Sequence, residues 1–206
     1  ADTVTLSADV GAITNNNDGT WSWSYVPATA VSNQVVTITG TDEDGGSSTV
    51  TFTLTAVNVN PVVGSDSAAV SGNEGTTIVN TGTWSDGNPG DVVTLTASAG
   101  VVVKNNDGTW SWSIATTDNL AATTVTVSAS DGVGGSSSTS FTYTVNNVAP
   151  VLTRANATLT GNVGTTFTNT GTYADVPADT VTLSADVGTI TNNNDGTWSW
   201  SYVPAT

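Results

Sequence analysis

Asn106-Asp107-Gly108-Thr109-Trp110-Ser111-Trp112-Ser113 joins a turn signal to a one-sided strand. Asp-Gly between two extended stretches favours a tight hairpin, because glycine accepts the positive φ such turns require. Beyond it, Trp110, Trp112 and Ile114 share one face and Ser111 and Ser113 the other, the period of a half-buried strand. The same string recurs at 17–24 and 194–201, 89 residues before and 88 residues after. A period of that length is a whole domain rather than one turn of a solenoid.

The repetition extends outward from the string. Segments 2–8, 91–97 and 179–185 share the pattern Asp-x-Val-Thr-Leu-x-Ala. Residues 1–29 and 178–206 are identical except that Ala12 becomes Thr189, whereas the middle copy differs more, as if a two-domain block had been duplicated. Pro61 and Pro150, each following an Asn-Val pair and one further residue, mark the unit boundaries. That frame predicts a partial β-sandwich repeat over 1–60, a complete one over 61–149 and a partial one over 150–206. With no initiator Met and no leader pattern at Ala1, the chain reads as a window on a longer string of repeats. Within the complete unit, two-residue alternation predicts seven strands, near 62–70, 76–85, 92–98, 101–105, 109–114, 122–130 and 137–148. One-sided apolar strands with frequent turn signals indicate antiparallel sheets packed face to face. The expected fold class is therefore all-β: tandem Ig-like antiparallel β-sandwich domains of about 88 residues, arranged as a rod.

Composition removes most chemistry. The 206 residues contain no Cys, Met or His and two basic side chains, Lys104 and Arg154, against 17 acids, for a net charge of -15. No thiol or imidazole is available as nucleophile, base or metal ligand. Nucleic acid is excluded because its backbone demands clustered Lys and Arg. No run approaches 18 apolar residues, so no membrane insertion is expected. The acidic, Thr-rich, Lys-poor balance fits a cell exterior, and the expected localisation is extracellular or cell-surface.

Two further stretches carry a family resemblance. Ala129-Ser-Asp-Gly-Val-Gly-Gly-Ser-Ser-Ser followed by Phe141-Thr-Tyr-Thr-Val-Asn-Asn resembles the closing strands of PKD-like and related bacterial Ig-like repeats. Asn73-Glu-Gly-Thr-Thr with Asp91-Val-Val-Thr-Leu is similar to their opening half. Trp-Ser-Trp-Ser stands where that family usually has Trp-Asp-Phe-Gly-Asp. The resemblance implies an Ig-like sandwich used as a spacer in extracellular multidomain proteins, and it implies no catalytic residue.

Two groups of side chains qualify as sites. Trp21 and Trp23, Trp110 and Trp112, and Trp198 and Trp200 each line one strand face. They fill a sandwich core or form a glycan-stacking platform, as in a carbohydrate-binding module of a secreted enzyme or adhesin. Asp42, Glu43 and Asp44 sit on one hairpin, while Asp86 with Asp91, and Asp175 with Asp179, flank a Pro-containing loop in successive repeats. They serve plain turn chemistry or bind Ca²⁺, which takes carboxylate and carbonyl oxygens from such loops. No cofactor is required by any of these patterns. A glycosidase pair is disfavoured because nothing provides a raised-pKa acid in a substrate cleft. An isopeptide is disfavoured because Lys104 aligns with Asn15 and Asn192 and could serve one repeat type at most, and an ester because it would depend on Gln34 alone.

The function expected is a structural repeat region of a long extracellular bacterial surface protein: a stiff stalk or the body of a filament, and not an enzyme. Its partners would be neighbouring repeats, or other copies through strand complementation at exposed sheet edges.

Overall fold

A computed structural model describes residues 3–205, so Asp2 of the first Asp-x-Val-Thr-Leu-x-Ala segment, with Ala1 and Thr206, lies outside the described residues. The strands are β1 (Thr5–Ala8), β2 (Ala12–Asn15), β3 (Trp21–Ser24), β4 (Val31–Thr41), β5 (Ser47–Ala56), β6 (Val62–Ser65), β7 (Ala69–Asn73), β8 (Thr77–Ser85), β9 (Thr94–Ala97), β10 (Val101–Lys104), β11 (Thr109–Ala115), β12 (Leu120–Ser130), β13 (Ser136–Asn146), β14 (Val151–Leu152), β15 (Phe167–Ala174), β16 (Thr189–Asn192) and β17 (Thr197–Tyr202). No helix occurs among the described residues. The fold class is all-β, as the alternation predicted.

The middle repeat is a two-layer sandwich with sheet orders β10-β11-β8-β6 and β7-β13-β12-β9. Every pairing is antiparallel except β7 with β13, which run parallel. This is the strand arrangement of an immunoglobulin-like sandwich, with an opening strand divided between the layers. The single strand predicted over 62–70 is in fact two. The chain leaves one sheet at Ser65, crosses at residues 66–68 and joins the other at Ala69, so the unit has eight strands rather than seven. Asp66 N–H donates to Thr81 O and Thr142 N–H to Ala68 O, so the crossing residues bond to both sheets.

Alternation places the core. From β11 come Trp110 and Trp112, from β12 Val125, Val127 and Ala129, and from β13 Phe141, Tyr143 and Val145, all buried together with Ile78 and Val63. Trp112 meets Phe141 edge-on at 4.9 Å between ring centroids, and Trp110 lies stacked on Phe141 at 6.4 Å. Two small residues make room. A Cβ at Gly82 of β8 would run into Gly64 O and the Trp110 ring, and one at Gly100 would lie 2.6 Å from Trp112 Nε1. Gly100 also has φ +72°, a left-handed conformation that glycine adopts without steric cost.

The flanking repeats reuse this pattern with fewer strands. Residues 5–56 contribute the sheets β1-β4-β5 and β2-β3, and residues 151–202 contribute β14-β15-β17-β16. Trp23 meets Phe52 at 4.9 Å, as Trp112 meets Phe141. Replacing Phe141 with Ala is expected to destabilise the middle repeat by about 3–5 kcal/mol, the range for deleting a buried aromatic ring. Gly82→Ala should likewise destabilise it, whereas Gly64→Ala, with its nearest neighbour at 3.6 Å, should cost far less. Urea unfolding curves of the three variants would check that ranking.

Candidate functional site

The hairpin that defines the repeat is held by its own acid. Asp107 Oδ1 accepts from Thr109 N–H at 3.1 Å and from the Thr109 hydroxyl at 2.6 Å, while Asn105 N–H donates to Thr109 O. Asp18 and Asp195 repeat these bonds to Thr20 and Thr197. The Thr hydroxyl, then its amide, holds all three carboxyls below the usual aspartate range. These acids are structural.

Each Trp of the repeat donates its indole N–H to a backbone carbonyl. Trp110 bonds Gly64 O at 2.9 Å, Trp112 bonds Ala99 O at 2.6 Å, and in the flanking repeats Trp23 bonds Val10 O and Trp200 bonds Val187 O. Trp110 is 0 % and Trp112 1 % exposed. A platform for sugar rings needs open ring faces, so the glycan-stacking expectation fails in the middle repeat: both rings are consumed by the core. Trp21 alone of the six is exposed, at 41 %, and Trp23, Trp198 and Trp200 are half-buried.

Lys104 is also structural. Its ammonium donates to Val93 O at 2.6 Å and lies 4.1 Å from the centre of the Trp84 ring. At the matching positions Asn15 and Asn192 donate to Val4 O and Val181 O, so the Lys replaces an amide in the same contact.

The acidic candidates separate into those that gather and those that do not. On the β4–β5 hairpin, Asp42 Oδ1 accepts Asp44 N–H and Gly46 N–H, which makes it a turn residue; Glu43 and Asp44 are exposed. Asp86 and Asp91, on the loop between β8 and β9, converge with Asp131, each offering a carboxylate oxygen within 4.8 Å of the others. Asp131 is 2 % exposed and occupies in the β12–β13 turn the place of Asp42, taking Val133 N–H and Gly135 N–H on Oδ1. Its Oδ2 accepts from Asn58 Nδ2 at 2.6 Å, a bond that reaches into the linker before Pro61. The same loop holds the preceding repeat, with Gly90 N–H donating to Ala28 O and Asn88 Oδ1 accepting Val59 N–H.

A second cluster lies at the other end of the middle repeat. Glu74, Asp118 and Asp179 bring carboxylate oxygens within 4.8 Å of one another, Glu74 being 2 % exposed. Glu74 Oε1 accepts Val148 N–H at 2.6 Å, so it grips the linker before Pro150. Asp175, in the same loop as Asp179, bonds its neighbour Val176 N–H. Sequence reasoning missed Glu74, Asp118, Asp131 and Asn58 as members of a site. Their partners come from distant parts of the chain, Glu74 meeting Asp179 and Asn58 meeting Asp131, which no local pattern reveals.

The first cluster biases its own acids in opposite directions, and the second raises Asp179. Asn58 and then the loop amides hold Asp131 below the ordinary range. Burial first, then Asp86 and Asp131, pushes Asp91 up; burial, then Glu74, Asp175 and Asp118, does the same to Asp179. Depressed groups such as Asp107 and Asp131 add stability above their unfolded pKa and lose it as pH falls through the folded one. Asp91 and Asp179 oppose them, adding stability at low pH and losing it as pH rises through their raised values. In metal-free buffer, carboxyl NMR titration should place Asp107 below and Asp91 above the ordinary 3.8. An Asp91 titrating below Asp107 would contradict this geometry.

No family model matches the chain, and no curated protein matches it. Solved structures similar to it include the Down syndrome cell adhesion molecule, N-terminal eight Ig domains (10 % identity, 98 % of this chain and 35 % of that one, TM-score 0.39). Others are domains 4 and 5 of the S-layer protein SbsC (15 %, 69 % and 70 %, 0.33) and the Yersinia pseudotuberculosis adhesin InvE (17 %, 71 % and 53 %, 0.31). This chain thus spans about a third of the eight-domain fragment and about half of InvE.

Proposed function

We propose that the chain is a structural repeat region of an extracellular surface protein, in which tandem Ig-like sandwiches with boundaries at Pro61 and Pro150 act as a stiff spacer, without enzymatic activity. The observation that carries this reading is how each junction is built. Only Val59-Asn60 and Val148-Ala149 separate the linker Asn from the Pro, and both linkers are hydrogen-bonded to the middle repeat through Asn88, Asp131 and Glu74. A linker so short and so tied has little bending freedom. The hairpin acids, the indole N–H groups and Lys104 are engaged by the repeat's own turns and core.

The excess of negative charge keeps neighbouring chains apart and soluble. With strands of up to 11 residues at about 3.3 Å each, successive repeats advance the chain by roughly 30–45 Å. Small-angle scattering of the 206-residue chain should therefore give a radius of gyration well above the about 17 Å of a compact protein of this length. A value near 17 Å would overturn the spacer reading.

A further inference from the structure

Six buried side-chain oxygens of the described residues have no hydrogen-bond partner, and five belong to the two junction clusters: Asn58 Oδ1, Glu74 Oε2, Asp86 Oδ2 and both oxygens of Asp91. Leaving a neutral polar atom buried and unpaired costs about 1–3 kcal/mol, and a charged one more. Here the unpaired atoms are carboxylate and amide oxygens, all acceptors, packed against further carboxylates. Among the described residues, no donor answers them. Lys104 is engaged with Val93 O and the Trp84 ring, and Arg154, the one other cation, is exposed beyond the second linker.

A cation supplies what is missing. We propose that each junction binds Ca²⁺: one ion between Asp86, Asp91, Asp131 and Asn58, and one between Glu74, Asp118 and Asp179. The donor set is oxygen only, with carboxylates from separate loops and an amide carbonyl, which suits a hard cation of flexible coordination. Zn²⁺ is disfavoured because no nitrogen or sulfur ligand is present. Glu74 is the most telling member. It is 2 % exposed, one oxygen holds the linker amide of Val148, and the other is free among the carboxylates.

Both sites fasten one repeat to the next. Glu74 and Asp118 belong to the middle repeat and Asp179 to the one after it, while Asn58 is on the linker that enters the middle repeat. Neutralising the clustered carboxylates would lock each junction, and removing the ion would leave like charges to push it open. Binding stands on the carboxylate geometry and does not depend on the spacer role, so the two readings fail separately.

The test is calorimetric titration of the chelator-treated 206-residue chain with CaCl₂. Saturable binding of about two ions per chain is expected, with dissociation constants of about 10⁻⁴–10⁻³ M, as in other extracellular modules. Asp91→Asn should remove the first site alone, Glu74→Gln the second alone, and Asp42→Asn neither, with circular dichroism confirming that each variant retains its strands. Absence of binding to the unaltered chain up to 10-fold above that range would overturn the proposal, as would binding that survives both substitutions together. Scattering in Ca²⁺ and in chelator reads the junction separately: an extended chain that binds no Ca²⁺ keeps the spacer and refutes the ion.

Discussion

Burying two indoles in one small sandwich sets the terms for the rest of the repeat. Each ring brings an N–H that must find an acceptor inside, and the acceptors are backbone carbonyls of two different segments, Gly64 and Ala99. Those bonds tie β6 to β11 across β8 and fix the turn that leads into β10. Glycine is then required at Gly82 and Gly100, because the rings lie where a Cβ would project. The Phe141 ring, wedged between the two indoles, joins the second sheet to the first.

The same constraint explains why the Trp-Ser-Trp strand is legible as core. Ser alternates with Trp because the outer face of β11 needs small polar side chains and the inner face needs volume. Strand existence, the hairpin at Asp107-Gly108 and the all-β class follow from such local patterns. The crossing at residues 66–68 does not, since Val62 to Val70 alternates only loosely and the parallel β7–β13 pairing joins residues some 73 positions apart. Sheet exchange is settled by which edge is left open, a property of the assembled layers.

The acids show the same division more sharply. Asp107 was readable as a turn residue because its partners are two residues away. Asp86 and Asp91 were readable as a candidate pair because they share a loop that recurs as Asp175 and Asp179. Asp42, in an acidic run, looked equally promising, yet its carboxylate is absorbed by its own turn. Glu74, Asp118 and Asp131 are isolated acids in the chain and acquire neighbours only when loops from opposite ends of the sequence unit meet. Charge density along a sequence is thus a poor guide to charge density in space.

The tethering of Lys104 has a bearing on how long such a chain would last outside a cell. Proteases that cut after basic residues need several residues of backbone drawn out into an extended, accessible form. Lys104 closes a strand hydrogen-bonded to β11 and has its ammonium drawn inward to Val93 O under the Trp84 ring. The other basic residue, Arg154, lies in an exposed irregular stretch just beyond β14. Digestion by an enzyme of that specificity would therefore begin at Arg154, inside the third repeat, where it would detach β14 from β15 while the middle sandwich stays closed.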